Sequence, residues 1–395
     1  MEKQQKILNK IKSCQAYGNE GQLGKKNNDE CYTSMQTILD ELSQWAALGK
    51  FQGKRVICPC DWDIVGDKDD NKNIYSITIE YEPEFKVAGN SVFKGAKVSY
   101  TLFDDLDEGK VTLKKIELKE DAVEEFLRDK LTCNFIRTLA QNARVWGIKS
   151  ITASGYNPTT GKGVKFQDVD YSKYDICVTN PPFSLYKEFM ESILGKIDFI
   201  VLAPLLNRKA TWEGIAIQEG KAYLGFGANF GAEFQNPTKD NKFKVKRVGC
   251  DWLTSFPEAQ EERNSRHFRS GVHYEDYKDE WLEMPHMTMK DGTHPIRVPS
   301  SAYPEDYDGW MFGPISVLDS LDQSEYEWYN TNFSVYYNSG LERSPFAGKI
   351  DMRMFHFRAD GKCGFCGIVF RRKPKAGQSS SGSQTHETGT QMGRR

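Results

Sequence analysis

The sequence predicts an α/β fold built on a doubly wound, Rossmann-like sheet. Four segments share a continuous apolar, β-branched composition that is typical of buried parallel strands: 54–61, 147–154, 174–179 and 197–204. Three amphipathic segments with helical spacing alternate with them, at 35–46, 133–144 and 184–194. Buried strands that alternate with helices predict a mostly parallel sheet with helices on both faces.

The alternation is interrupted once and ends before the last third of the chain. Between 64 and 130, short alternating segments are separated by Gly- and Asp-rich turns, which predicts a β-rich insertion. The α/β domain is therefore expected at 25–63 and 131–254. Residues 255–372 are rich in Tyr, Trp, Pro and Gly, and this pattern predicts a mixed, loop-rich second region.

Bulk composition limits the class of protein. The 53 Lys+Arg and 55 Asp+Glu nearly balance, so any nucleic-acid surface has to be local. No run approaches 18 apolar residues, so no membrane span is expected, and nine cysteines without a secretory signal favour a reducing cytoplasm. Residues 1–24 are predicted to be a helical lead-in, and the Ser-, Gly-, Gln- and Thr-rich segment 373–395 a disordered tail.

The third predicted strand ends at a turn with a chemical interpretation. Pro181 and Pro182 lack an N–H and cannot continue a ladder, so the strand ends at Asn180. The Asn180 side-chain carbonyl and the Pro181 backbone carbonyl are two acceptors for the hydrogens of an exocyclic amine, and they steer its lone pair out of conjugation. Phe183 follows closely enough to stack on a flat heterocycle. Transfer of an activated methyl group to such an amine needs alignment and no covalent residue.

Other polar residues have two interpretations each. Asp61 stands at the end of the first predicted strand, where it could hold cofactor hydroxyls or amines, or cap the next element. Two local basic clusters follow the α/β segments: Lys242, Lys244 and Lys246, then Arg263, Arg266 and Arg269. The lysines share one face of a predicted edge strand, where they could contact phosphates or protect the edge from aggregation. The cysteine pairs at 58/60 and 363/366 are only half-sites for zinc, so no metal is expected.

Seven motifs occur along the chain in the order found in a known family. They are Asn-Asp-Glu-Cys-Tyr-Thr (28–33), Cys-Pro-Cys-Asp (58–61), Cys-Asn-Phe (133–135), Tyr-Asn-Pro (156–158), Asn-Pro-Pro-Phe-Ser (180–184), Cys-Asp-Trp-Leu-Thr (250–254) and the segment 307–316. The turn at 180–183 resembles the catalytic motif of amino methyltransferases that use S-adenosylmethionine. The whole set resembles the EcoRI-type adenine-specific DNA methyltransferase family over about residues 27–320.

The resemblance implies a role for each matching residue. On the donor side it places one group near the methionine end of S-adenosylmethionine: Asp29, Glu30, Tyr32 and Thr33. Cys60, Asp61 and Asn134 would line the donor pocket, and Asp168 would contact the donor's adenine or ribose from the strand before the catalytic one. The target adenine would be held by the turn residues Asn180, Pro181, Pro182 and Phe183.

The resulting expectation is a DNA adenine-N6 methyltransferase that flips its target base out of double-stranded DNA and transfers the methyl group in line. Residues 255–372 would recognise the target, with Arg263, Arg266 and Arg269 as base-edge contacts. A cognate restriction endonuclease, as in restriction-modification, or a phage or mobile-element context is left open. One alternative is an RNA amino methyltransferase. Another is a decayed, non-catalytic nucleic-acid-binding or antirestriction protein, since the glycine-rich donor loop and an acidic end to strand 148–154 are absent.

Overall fold

The computed structural model describes the following residues: 4–6, 32–61, 74–87, 90–106, 110–131, 133–157, 162–204, 216–227, 232–237, 243–248, 250–265, 271–285, 287–319, 321–330, 344–347 and 367–374. No helix within these ranges is long and apolar enough to cross a membrane. The architecture is mixed α/β, with one sheet of nine strands and a second of five, beside two smaller sheets.

The strands in the first half of the chain are β1 (Tyr32–Thr33), β2 (Arg55–Cys58), β3 (Ile74–Val87), β4 (Asn90–Leu106), β5 (Lys110–Glu117), β6 (Ser150–Ser154), β7 (Tyr156–Asn157), β8 (Lys162–Gly163) and β9 (Ile176–Thr179). Those in the second half are β10 (Asp198–Pro204), β11 (Tyr223–Leu224), β12 (Ala232–Pro237), β13 (Phe243–Val248), β14 (Cys250–Thr254), β15 (Leu282–Glu283), β16 (Ile296–Arg297), β17 (Met311–Pro314), β18 (Tyr326–Asn330) and β19 (Gly367–Arg372). The α-helices are α1 (Met35–Ala47), α2 (Glu120–Glu125), α3 (Asn134–Trp146), α4 (Tyr186–Ile193) and α5 (Glu258–Ser265).

The large sheet has the order β11-β14-β10-β9-β2-β6-β3-β4-β5. Its centre is parallel, because β2 pairs in parallel with β6 and β9, and β9 with β10. The flanks are antiparallel, because β3 pairs antiparallel with β6, and β14 with β10. The sheet as a whole is thus mixed, and the expectation of a mostly parallel sheet is confirmed for its centre alone. Antiparallel neighbours need no crossover helix, which allows β3 to β5, in the segment 64–130, to extend the same sheet.

The two faces of the parallel centre pack into different cores. Val56 and Val178 belong to one apolar cluster, which also contains the buried faces of α1 and α3. The adjacent residues Ile57 and Cys177 belong to the other, together with the buried face of α4. Successive side chains of a strand point to opposite faces, so a continuous apolar strand requires cover on both sides. Helices on both faces therefore follow directly from the composition of these strands.

The strand order reverses at β2, whose two neighbours are β6 on one side and β9 on the other. Loops that leave the carboxyl ends of strands at such a point diverge to opposite faces and leave a crevice between them. In open α/β sheets, ligands bind in this crevice. A ligand-binding site is therefore expected beside the residues that follow β2 and β9.

The five-stranded sheet has the order β15-β16-β17-β19-β18 and packs against the same face as α4. Tyr326 and Phe370 of this sheet share an apolar cluster with Leu253 of β14. The Gln218 amide also donates to the Trp328 carbonyl oxygen at 2.6 Å. The predicted second region is thus joined to the α/β sheet by a shared core.

Gly163 allows a close backbone approach beside the end of β6. Its φ is +104°, and a Cβ placed there would lie 2.1 Å from the Gly155 carbonyl oxygen. We expect Gly163→Ala to lower the free energy of unfolding by about 3 kcal/mol, since the backbone strain and the clash add. Gly49→Ala is the control, because Gly49 has a φ of +72° but open space around it. That variant should lose about 1 kcal/mol, and equal losses in urea titrations would contradict the clash.

Candidate active site

Asp61 and Asn180 meet at the carboxyl edge of the sheet. The parallel register pairs Val56 with Ile176, so the segments that follow β2 and β9 leave the sheet side by side. The Thr179 hydroxyl donates a hydrogen bond to Asp61 Oδ2. The Asn180 backbone N–H donates to the same carboxylate, at 3.2 Å from Oδ2 and 3.4 Å from Oδ1. The end of the first strand therefore holds the beginning of the Asn-Pro-Pro-Phe turn.

The Asn180 side chain contains an acceptor oxygen that makes no hydrogen bond within the described residues. Its Oδ1 is buried and has no hydrogen-bond partner among the described residues. An unsatisfied buried oxygen of this kind costs about 1–3 kcal/mol, so such atoms are rare and need an explanation such as a catalytic role, a ligand or a water. Pro181 is buried beside it, and the half-buried Phe183 packs against the core cluster that contains Val178. The prediction that the strand ends at this turn is confirmed, since β9 ends at Thr179.

Among the described residues, the groups that act on the Asp61 carboxyl are uncharged. Burial raises the pKa of Asp61 to about 7, although the Thr179 hydroxyl and the Asn180 N–H lower it. Three thiols interact with this carboxyl group, those of Cys58, Cys60 and Cys177. Burial raises the pKa of each thiol well above its ordinary value, so all three are protonated at neutral pH. None of these three thiols is therefore available as a thiolate nucleophile.

A second polar group lies where α3 begins. The Asn134 amide Nδ2 donates to the Thr33 carbonyl oxygen at 2.8 Å, which joins β1 to the first residue of α3. Because α3 is followed directly by β6 and packs along the sheet, its N-terminus lies at the carboxyl edge. Thr33 Oγ1 and, at the end of β6, Ser154 Oγ are buried and have no partner within the part of the chain that the structure describes. One unpaired hydroxyl thus lies on β1 and another at the end of β6.

Glu41 anchors a loop at the same edge. This buried carboxylate of α1 accepts the Trp45 indole N–H at 2.7 Å and the backbone N–H groups of Phe226 and Gly227 at 3.0 and 2.6 Å. Gly225 permits the approach, since a Cβ there would lie 2.3 Å from Glu41 Oε1. β11 runs parallel to β10 through the intervening antiparallel β14, so the loop after Leu224 leaves at the carboxyl edge.

The other site residues predicted from the sequence either lie away from Asp61 and Asn180 or fall outside the described residues. Asp168 is exposed and belongs to the 3-10 helix Phe166–Asp168, so the strand expected there is wrong. Residues 165–168 contain no β-branched residue, so their composition favours a turn over a strand. Lys244 and Lys246 lie on β13, an edge strand of the small sheet β1-β12-β13, and Arg263 lies on α5, but only their backbones are described. The remaining predicted residues lie outside the described ranges: Asp29, Glu30, Lys242, Arg266 and Arg269.

Three residues at this edge were not singled out from the sequence: Thr179, Ser154 and Glu41. Each had a signal, because a polar residue stands at a position whose neighbours predict burial. Thr179 and Ser154 end apolar strands, and Glu41 lies on the apolar face of α1. Polar residues in such positions require partners, which tertiary structure alone identifies. Within the described residues, no cluster of three or more His, Cys, Asp or Glu could hold a metal ion.

A family model described as adenine-specific methyltransferase EcoRI matches residues 168–373. The match covers a little over half of the chain and includes the turn at 180–183 and the strands β9 to β19, and therefore the whole five-stranded sheet. No curated protein and no solved structure matches the chain significantly.

Proposed function

The chain belongs to the EcoRI family of adenine-specific methyltransferases, and from this premise we propose that it methylates the N6 amino group of adenine in double-stranded DNA. The observation that carries the proposal is the buried, unpaired Asn180 Oδ1 at the beginning of the Asn-Pro-Pro-Phe turn. An exocyclic NH₂ group supplies the donor that this oxygen lacks. The turn lies at the point where the strand order reverses, which is the expected ligand position in such a sheet.

The acceptor side of the reaction follows from the turn. Asn180 Oδ1 and the Pro181 carbonyl oxygen each accept one N6 hydrogen, which orients the nitrogen lone pair toward the incoming methyl group. Phe183 supplies an aromatic face for the adenine ring, and such stacking contributes about 1–3 kcal/mol per base. These groups are reached only by a base that has left the duplex, so base flipping is part of the proposal. In the transfer, the bond from N6 to the methyl carbon would form as the sulfonium S–C bond breaks, the donor would leave as a neutral thioether, and N6 would release one proton to water.

The donor side is proposed for S-adenosylmethionine, whose sulfonium supplies an already activated methyl group. The residues present fit such a polar molecule, because Thr33 and Ser154 have buried hydroxyls without partners and Asn134 lies beside Thr33. The resemblance adds further members of the donor site: Asp29, Glu30, Tyr32, Cys60, Asp61 and Asp168. Together these side chains would bind the donor's polar ends and orient it along the line to N6.

DNA contacts are proposed for the second region and the basic clusters. Candidates for phosphate contacts are Lys242, Lys244 and Lys246, and candidates for base-edge contacts are Arg263, Arg266 and Arg269. The exposed 3-10 helix Glu275–Glu280 carries four carboxylates and one lysine, so it would repel phosphates. The DNA-facing surface of the second region is therefore proposed away from this helix.

Methyl transfer to defined nucleic acids tests the function. We expect purified protein with a radiolabelled methyl donor to label double-stranded DNA, and modified-base sequencing of DNA from expressing cells to report N6-methyladenine in one recognition sequence. The same turn holds any planar amine, so structured RNA and protein serve as parallel substrates. Label in RNA or protein but in no DNA would show that the acceptor assignment is wrong. A chain that binds no donor in calorimetry would be a decayed enzyme.

A further inference from the structure

We propose that Asp61 is a positioning residue of the acceptor turn, whose carboxylate fixes the backbone of Thr179 and Asn180 so that Asn180 Oδ1 is held toward the adenine amine. This inference rests on the proposed function of the turn. It gives Asp61 a role on the acceptor side, beyond the donor-side role that its position after β2 suggests. The carboxylate would act through Asn180 and would not itself contact the base.

The hydrogen bonds divide the Asn180 residue into a fixed part and an available part. Its backbone N–H and the neighbouring Thr179 hydroxyl both donate to the Asp61 carboxylate. Hydrogen bonds to an ionised acceptor are about twice as strong as neutral ones, so this end of the turn is held firmly. The side-chain Oδ1 takes no part, and it remains without a partner among the described residues. The backbone is thus anchored while the atom needed for the amine is left available.

The far end of the turn is fixed by different means. Pro181 and Pro182 each restrict φ to about −65°. The Leu185 N–H then donates to the Pro182 carbonyl oxygen at 3.0 Å, at the 3-10 helix Phe183–Leu185 that precedes α4. Between these constraints, the main freedom left to the turn is the way Asn180 leaves β9. Asp61 is the side chain that restrains this point.

A carboxylate at this position has a cost that a neutral residue would avoid. Burial raises the pKa of Asp61 to about 7, and among the described residues the titratable groups that act on it are the thiols of Cys58 on β2, Cys60 after β2 and Cys177 on β9. Burial raises their own pKa values, so these thiols are neutral, and none of them supplies a positive charge that would compensate the carboxylate. The carboxylate is nevertheless placed here because its short side chain accepts hydrogen bonds from both the Thr179 hydroxyl and the Asn180 N–H.

The proposal has a consequence for pH dependence. Protonation of Asp61 weakens its acceptors, so kcat should fall as the pH decreases through about 7. Loss of stability through the titration of Asp61 does not explain such a decrease in kcat. A carboxyl whose folded-state pKa is raised binds a proton more readily when folded, so its titration makes the free energy of unfolding rise as the pH decreases. In Thr179→Val the acid limb should move to higher pH, because the Thr179 hydroxyl lowers the pKa of Asp61.

The test is the kinetics of Thr179→Val, which removes one donor and keeps the β-branched shape. We expect kcat at saturating donor and DNA to fall about 10- to 100-fold, as for loss of a hydrogen bond to a charged group, with donor affinity within twofold of the wild type. Thr179→Ser, which keeps the hydroxyl, should restore most of the rate. The matched control is Thr254→Val, a buried threonine at the opposite edge of the same sheet that accepts the Phe256 N–H at 3.2 Å. Its kcat should be unchanged.

Hydrogen exchange provides a readout that does not need activity. Asn180 carries the last amide before two prolines, so a peptide that ends at 182 reports its protection directly. Asp61→Ala should increase the exchange rate of this amide at least tenfold and leave β6 amides unchanged. Unchanged exchange there, unchanged kcat in Thr179→Val, or a parallel loss of donor affinity would each overturn the role of Asp61. A wild-type protein that labels no DNA but shows the exchange effect would instead overturn the proposed function alone.

Discussion

Replacing Asn180 with alanine should lower methyl transfer about 10²- to 10³-fold, the range found when one transition-state hydrogen-bond donor is removed from other enzymes. The change removes the unpaired Oδ1 that is proposed to accept an N6 hydrogen. The backbone N–H bond to Asp61 remains possible, so the fold of the turn should persist. Single-turnover methylation of a DNA substrate measures the rate, and calorimetry measures donor affinity, which should change less than about twofold.

Two comparisons make the Asn180 result specific. Asn142→Ala removes an asparagine of α3 whose Nδ2 donates to the Thr138 carbonyl at 2.8 Å, and it should leave the rate unchanged. Asn180→Asp keeps an acceptor oxygen of the same reach and should retain more activity than Asn180→Ala. A large loss of donor affinity in Asn180→Ala would mean that the residue lies on the donor side. Equal rates in Asn180→Ala and the wild type would contradict the proposed reaction.

The part of the fold that depends on local pattern was predictable. The four buried strands, the helices α1, α3 and α4, and the end of a strand at the Asn-Pro-Pro turn follow from composition, spacing and the missing proline N–H groups. The partners of the strands at 74–117 did not follow. An alternating strand fits any edge with free N–H and C=O groups, so its sheet is chosen by tertiary contacts. This is why a β insertion was expected but the extension of the main sheet by β3 was not.

The candidate site likewise has a part that local sequence predicts and a part that depends on long-range contacts. The acceptor turn is contiguous in sequence, so its four residues were found together. Its supporting contacts join residues that are 118 positions apart, Asp61 and Thr179. Such pairs have no local periodicity and leave only an isolated polar residue in an apolar segment as a signal. Asp61 was found because it follows a strand, whereas its partner Thr179 was counted as part of the buried strand.

Glu41→Ala is the second large effect that we expect, on stability. The change leaves three N–H groups that now donate to Glu41 without their acceptor: the Trp45 indole N–H and the backbone N–H groups of Phe226 and Gly227. Loss of a buried charged acceptor costs about 3 kcal/mol or more. Urea unfolding should therefore show a lower midpoint with an unchanged slope, because the exposed surface on unfolding is the same.

The comparison variants separate the hydrogen bonds from the helix itself. Asp40→Ala replaces the adjacent exposed residue of α1 and should change the free energy of unfolding by less than about 0.5 kcal/mol. Glu41→Gln keeps one acceptor oxygen and should lie between Glu41→Ala and the wild type. A loss below about 1 kcal/mol in Glu41→Ala would mean that other groups satisfy these donors. A destabilised but folded Glu41→Ala should also show faster amide exchange at Phe226 and Gly227, because their N–H groups lose their acceptor.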